Sequence, residues 1–154
     1  MRIDEARDAG DIETARRLLQ AYADALPFSL DFQNFAEELA GLPAPYSPPA
    51  GCLLIARERG AAVGVVALKP LAAGTAEIKR LYVMPQARGA GVGRMLAERA
   101  VAAASAKGYE RVRLDTHRPS MMAAIALYRR LDFVEIAPYG PDLGGEIAFF
   151  EKHL

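Results

Sequence analysis

A chain of 154 residues, 52% hydrophobic and 25% charged, is long enough to bury a core and reads as one domain spanning 1–154. Nineteen basic residues balance nineteen acidic ones, which argues against generic nucleic-acid binding, since that needs a sustained basic face. No apolar run is long enough to span a bilayer, the charges at Arg2, Asp4, Glu5, Arg7 and Asp8 do not read as a secretory leader, and the lone Cys52 suits a reducing cytoplasm.

Residues 2–7 read as a short strand. Asp8 or Asp11 can cap a helix whose apolar stripe is Ile12, Ala15, Leu18, Leu19, Tyr22 and Leu26, ended by Pro27. Phe32, Phe35, Ala36 and Leu39 fit a second short helix, and the proline-rich stretch 44–51 reads as an extended loop. Segments 52–57 and 61–71 form two strands of a hairpin turning at Arg59-Gly60. Cys52 begins the first of them with no histidine nearby in sequence, so a small buried side chain is its expected role.

Segment 75–84 is a further strand whose apolar parity slips between Ile78 and the pair Leu81 and Val83. Either a β-bulge or burial of both faces accounts for that slip. Residues 92–107 form a helix closed by Gly108, with Leu96, Ala97, Ala100, Val101 and Ala104 facing inward. Segment 111–116 is a strand with Val112 and Leu114 on one side. Ser120 is the expected N-cap of the next helix, whose Met122, Ile125, Ala126, Leu127 and Tyr128 are expected near the core. Strands at 133–136 and 146–150 flank a loop containing Tyr139. This order gives an α/β domain with a mixed sheet.

Between the strand at 75–84 and the long helix lies Arg88-Gly89-Ala90-Gly91-Val92-Gly93-Arg94. Alternating glycines bare backbone N–H groups, the helix N-terminus adds more, and two arginines supply positive charge. Such a loop suits a phosphate or pyrophosphate. A dinucleotide-binding turn would need G-x-G-x-x-G directly after the strand; Asp115 sits at a fitting distance downstream, but the glycine spacing does not match.

Lys79-Arg80-Leu81-Tyr82-Val83-Met84-Pro85 followed by R-G-x-G-x-G-R resembles the acetyl-CoA-binding signature of GNAT superfamily N-acetyltransferases. The stretch from Ala124 to Phe133, A-I-A-L-Y-R-R-L-D-F, is similar to that family's second signature. The resemblance implies a mixed, mostly antiparallel central sheet of six to seven strands flanked by about four helices. It implies acetyl-CoA as acyl donor, with no metal, and direct transfer of the acetyl group to a primary amine of a small molecule or peptide. The pyrophosphate would meet Arg88, Gly89, Ala90, Gly91, Val92, Gly93 and Arg94, and the pantetheine arm would pair with Leu81 and Val83 on a bulged strand.

By the same resemblance the Val83 N–H polarises the thioester, Tyr128 protonates the departing thiolate, and Glu77 deprotonates the amine through water. Read from the residues alone, Tyr128 is a core aromatic, and Glu77 is as readily an exposed carboxylate. His117 is an outside candidate for the base, its plainer role being a solvated loop residue. The acceptor would lie near Phe28, Phe32, Phe35, Tyr46 and Tyr139. Two departures put full catalytic competence in question: Met121 stands where many members have asparagine, and Asp132 where glycine is usual. The competing expectation is a non-catalytic acyl-CoA-binding module. A homodimer remains open as a further expectation.

Overall fold

The computed structural model describes residues 1–154, the side chain of Phe32 excepted. In chain order the elements are β1 (Arg2–Glu5), α1 (Ala9–Ala25), a 3-10 turn (Asp31–Gln33), α2 (Phe35–Gly41), β2 (Cys52–Glu58), β3 (Ala61–Ala72) and β4 (Thr75–Val83). A second 3-10 turn (Pro85–Ala87) then leads to α3 (Val92–Ala106), β5 (Arg111–His117), α4 (Met122–Arg130), β6 (Val134–Ile136) and β7 (Ile147–His153). All seven strands join one sheet in the order β1-β2-β3-β4-β5-β7-β6. Every pairing is antiparallel except β4 with β5. The expected fold class is therefore observed.

Local chemistry explains most boundaries. The Asp8 carboxylate accepts from the Asp11 N–H at 2.8 Å and caps α1. Asp11 instead accepts from the Arg7 N–H and from Arg57 Nη2, both at 3.0 Å. Arg59 and Gly60, with φ of 51° and 82°, supply the left-handed turn that a two-residue hairpin requires between β2 and β3. Ser120 does not cap α4 as expected; Met121 holds that position without a side-chain bond, because the Ser120 hydroxyl is engaged with His117.

The sheet divides the core. α3 and α4 cover one face, where Leu96, Ala97 and Ala100 of α3 are fully buried and Val101 only partly so. Met122 and Ala126 of α4, expected near the core, are exposed instead. α1 and α2 cover the other with Ala15, Leu18, Leu19 and Phe35. Burying both faces of the central strands removes their apolar area from water, at roughly 25 cal/mol per Å².

The slip in β4 is a bulge. Val65 pairs with Tyr82 and Ala67 with Lys79, so Arg80 and Leu81 together oppose Val66. Arg80 takes a left-handed φ of 61° there. In consequence Ala76 and Ile78 before the bulge, and Leu81 and Val83 after it, all face the α3 side, while Tyr82 faces α1. Along its other edge β4 pairs with β5 only at Thr75↔Arg111, Ala76↔Val112 and Glu77↔Arg113. From Ile78 onward that edge of β4 is unpaired with β5, and β5 continues alongside β7 to His117.

Candidate active site

The gap beside β4 opens into a groove of about 620 Å³, walled by Leu81 to Val83, by Arg88, Gly89 and Gly91 to Gly93, and by Met121, Ala124 and Leu127. The Met84 N–H donates to the Val63 carbonyl at 2.8 Å, on the β3 side. Alternation along an extended strand therefore turns the Val83 N–H and carbonyl to the groove side. Arg88 Nε donates to that Val83 carbonyl at 3.0 Å, and its guanidinium lies 5.8 Å from the centre of the Tyr82 ring.

Gly89 and Gly91 have φ of 87° and 82°, a region costly for residues with a Cβ. Gly91 is the N-cap of α3 and brings no side chain to satisfy its first amides. Gly93 is different. It lies within the first turn, and an added Cβ would meet Val83 Cγ2 at 3.7 Å and Leu127 Cδ2 at 3.9 Å, ordinary contacts. Two of the three alternating glycines, rather than all three, are demanded by the backbone. Arg94 pairs with Glu98 at 2.6 Å on the exposed surface.

Deeper between β4 and β5 a small cavity of about 50 Å³ adjoins the groove, sharing Tyr22, Leu81, Met121 and Ala124 with it. Tyr128 lines this cavity and is 5% exposed, its ring packed on Phe133 and Phe150. Among the described residues its hydroxyl has no hydrogen-bond partner. Burial, reinforced by Tyr22 and by the negative charge of Asp115, raises the phenol above its ordinary value of 10.0. It therefore keeps its proton at neutral pH.

Glu77 is buried rather than exposed, at 4%. It accepts from the Tyr139 hydroxyl at 2.7 Å and pairs with Lys69 at 3.7 Å and Lys79 at 3.8 Å. It lines neither groove nor cavity, but Lys79 does, and Lys79 also lies 4.0 Å from Asp115. His117 is no solvated loop residue: it ends β5, 6% exposed, with the Phe28 ring 4.6 Å away. Of the expected acceptor lining, Phe28 lies on the cavity, whereas Phe35 and Tyr46 are core residues on the α1 side. Tyr139 is bound to Glu77, and the side chain of Phe32 lies outside the described residues.

Both departures from the family pattern have a local answer. The Thr116 hydroxyl donates to Met121 Sδ at 3.1 Å, so the thioether is held in place without offering a donor. Asp132 adopts a left-handed φ of 69°, with Phe133 N–H on the Tyr128 carbonyl and Asp132 N–H on that of Arg129. That is the Schellman pattern, here ended by aspartate instead of glycine.

Three residues at the cavity were given no part in the acetyl-transfer reading of the sequence. Asp115 and Gln33 line the cavity, and Gln33 Oε1 is buried without a partner. Arg80, from the bulge, reaches Glu38 of α2 through a two-pronged bond, Nε to Oε2 at 3.0 Å and Nη2 to Oε1 at 2.9 Å. A signal existed for Asp115: it stands near the carboxyl end of a strand in the sheet's parallel pair, where open sheets place ligands. Arg80 offered none, because its direction depends on the bulge.

Among the described residues no group of histidine, cysteine, aspartate and glutamate could hold a metal ion. None of their helices is long and apolar enough to cross a membrane.

The profile of the acetyltransferase (GNAT) family matches residues 15–133. An uncharacterized N-acetyltransferase of Schizosaccharomyces pombe is 37% identical over 131 residues, covering 84% of this chain and 80% of the relative. An acetyltransferase of the GNAT family from Staphylococcus aureus superimposes with a TM-score of 0.79 at 17% identity, covering 99% of this chain and 98% of the other. An N-acetyltransferase of Thermoplasma acidophilum, solved with coenzyme A, superimposes with a TM-score of 0.71 at 21% identity over 100% of both chains. The last two likenesses speak to fold alone; the profile and the yeast relative establish that this chain belongs to the GNAT family of acetyltransferases.

Proposed function

We propose that the protein moves an acetyl group from acetyl-CoA directly to a primary amine of a small molecule or peptide. The observation that carries this reading is the uncapped, left-handed glycine entry to α3, opening on the groove where β4 has parted from β5. Amide N–H groups of a helix N-terminus, left without a side-chain cap, fit a pyrophosphate. The backbone from Arg88 to Arg94 would hold that group, and Leu81 and Val83 would pair with an extended amide-bearing arm as an added strand does. The N-acetyltransferase name of the yeast relative supports an amine acceptor, and the coenzyme A complex supports the donor.

The donor supplies a thioester, whose carbonyl carbon is the electrophile. The Val83 N–H, on the unpaired edge of β4, is a preorganised donor for the oxygen that gains charge during transfer. Tyr128 holds its proton ready for the leaving thiolate. Glu77 is the base that the family resemblance implies. Its carboxylate meets the cavity only through Lys79, so an amine proton would need water to reach it.

Thermal unfolding with acetyl-CoA, with NAD as comparison ligand, tests the donor. Acetyl-CoA at 100 times its dissociation constant adds about 2.7 kcal/mol of stability. Release of CoA thiol over an amine panel, with Tyr128→Phe as control, tests the chemistry. No gain with acetyl-CoA, or a gain with NAD alone, overturns the reading of the loop.

A further inference from the structure

Three side chains hydrogen-bond in a row from the groove wall to the protein surface. Ser120 lines the groove, and its Oγ lies 2.7 Å from His117 Nδ1. His117 lines the cavity, and its Nε2 lies 3.2 Å from Glu146 Oε2. The Glu146 side chain is 58% exposed.

Backbone bonds fix this row. β5 and β7 remain paired up to His117↔Ile147, which brings Glu146 beside the end of β5. The Arg118 N–H donates to the Glu146 carbonyl at 2.7 Å. The Met121 N–H donates to the His117 carbonyl at 3.0 Å, folding Ser120 back over the imidazole. An ionised carboxylate only accepts, so Nε2 carries the ring proton and Nδ1 accepts from the Ser120 hydroxyl. The serine oxygen keeps lone pairs for a donor in the groove.

We propose that Ser120, His117 and Glu146, in place of Glu77, form the proton exit for the acceptor amine. The proposal rests on the amine-acetylation reading above. A primary amine, with an ordinary pKa of ~10 on an alkyl chain and ~8 at a peptide N-terminus, enters mostly as an ammonium ion, which has no lone pair to attack with. One ammonium N–H bond breaks, and its electrons remain on nitrogen as the nucleophilic pair. The proton binds Ser120 Oγ while the original Ser120 proton passes to His117 Nδ1. Glu146 stabilises the imidazolium that forms. The Nε2–H bond then breaks, and that proton leaves to solvent by way of the exposed carboxylate. Proton exchange with water returns the ring to its Nε2–H form for the next turnover. Imidazole can accept a proton on one ring nitrogen while the other donates, which is what a relay between Ser120 and Glu146 requires. The charged and titratable groups around His117, among the described residues, are Glu146 ahead of β7, Asp115 on its own strand, Lys79 and Arg80 across the cavity on β4, Tyr22 on α1 and Tyr128 on α4. Phe28 covers the ring from the α1–α2 connection.

The chain has two histidines, so His153→Gln leaves a single imidazole to observe by nitrogen NMR. At alkaline pH the proton is expected on Nε2, and a proton on Nδ1 would overturn the relay. The kinetic arm follows CoA thiol release from acetyl-CoA with a linear monoamine, a polyamine and a short peptide bearing a free N-terminus. His117→Gln and Ser120→Ala are expected to lower kcat/KM about 10²-fold near pH 7. That loss should shrink as pH rises toward the amine's own titration, with the stability gain from acetyl-CoA unchanged. If His117→Gln fails to fold, Ser120→Ala, at an exposed position, carries the kinetic test. An active wild type whose pH profile matches both variants overturns the relay. A wild type that neither binds acetyl-CoA nor acetylates any probe sinks the acetyltransferase reading instead, and the tautomer alone then decides whether the row is poised to carry a proton.

Discussion

The Tyr128 hydroxyl faces the cavity without a protein partner, so its removal breaks no hydrogen bond. Tyr128→Phe should therefore change stability by less than about 1 kcal/mol in urea unfolding, while kcat falls by about 10² or more. A large stability loss with unchanged kcat would return Tyr128 to the role of a core aromatic. Glu38 is the opposite kind of residue. Burial pushes its carboxyl up, but the Arg80 hydrogen bonds and charge outweigh that and hold it below its ordinary value of 4.5. A depressed folded-state pKa gives stability that is complete above 4.5 and lost as pH falls through the folded value. Wild type should accordingly exceed Glu38→Gln in stability at pH 7, with the advantage fading in acid; a pH-independent difference would contradict the pairing.

Elements show which features local sequence can announce. The hairpin of β2 and β3, the entry to α3 and its Gly108 stop follow from residues within a few positions of one another, and each was legible. The partnership of Arg80 with Glu38 spans 42 residues and exists only because the bulge turns Arg80 toward α2. Ser120 was misassigned for the same reason: its cap competes with an imidazole that β7 and β5 bring into reach. The bulge therefore makes a sharp test. Arg80→Met leaves Glu38 buried and unpaired, and should cost about 3–5 kcal/mol in urea unfolding. Adding Glu38→Leu should recover most of that loss. In the α3 entry, Gly91→Ala should cost about 1–2 kcal/mol because its φ is left-handed, whereas Gly93→Ala should be neutral or stabilising by up to about 1 kcal/mol. Equal effects at the two positions would refute the distinction drawn from their backbones.

For the whole molecule, the distribution of hydrogen exchange follows from the strand order. The amides of Leu81 and Val83 and the first amides of α3 lack strand or helix acceptors, and should exchange faster than those facing β3. Acetyl-CoA should slow that same set if it occupies the groove, and mass spectrometry of the peptides covering 78–94 would register the change. Protection confined to the opposite face, around α1 and α2, would place the ligand elsewhere.

The short seam between β4 and β5 has a mechanical consequence. Four strands stand on one side of it and three on the other, joined edge to edge at only three residue pairs. A molecule wedged into the open part of the seam supplies rungs that the ladder lacks. Tightness of that grip and cohesion of the two half-sheets are then one property seen from two directions, and a pulling experiment across the seam would measure the occupant as directly as a binding curve.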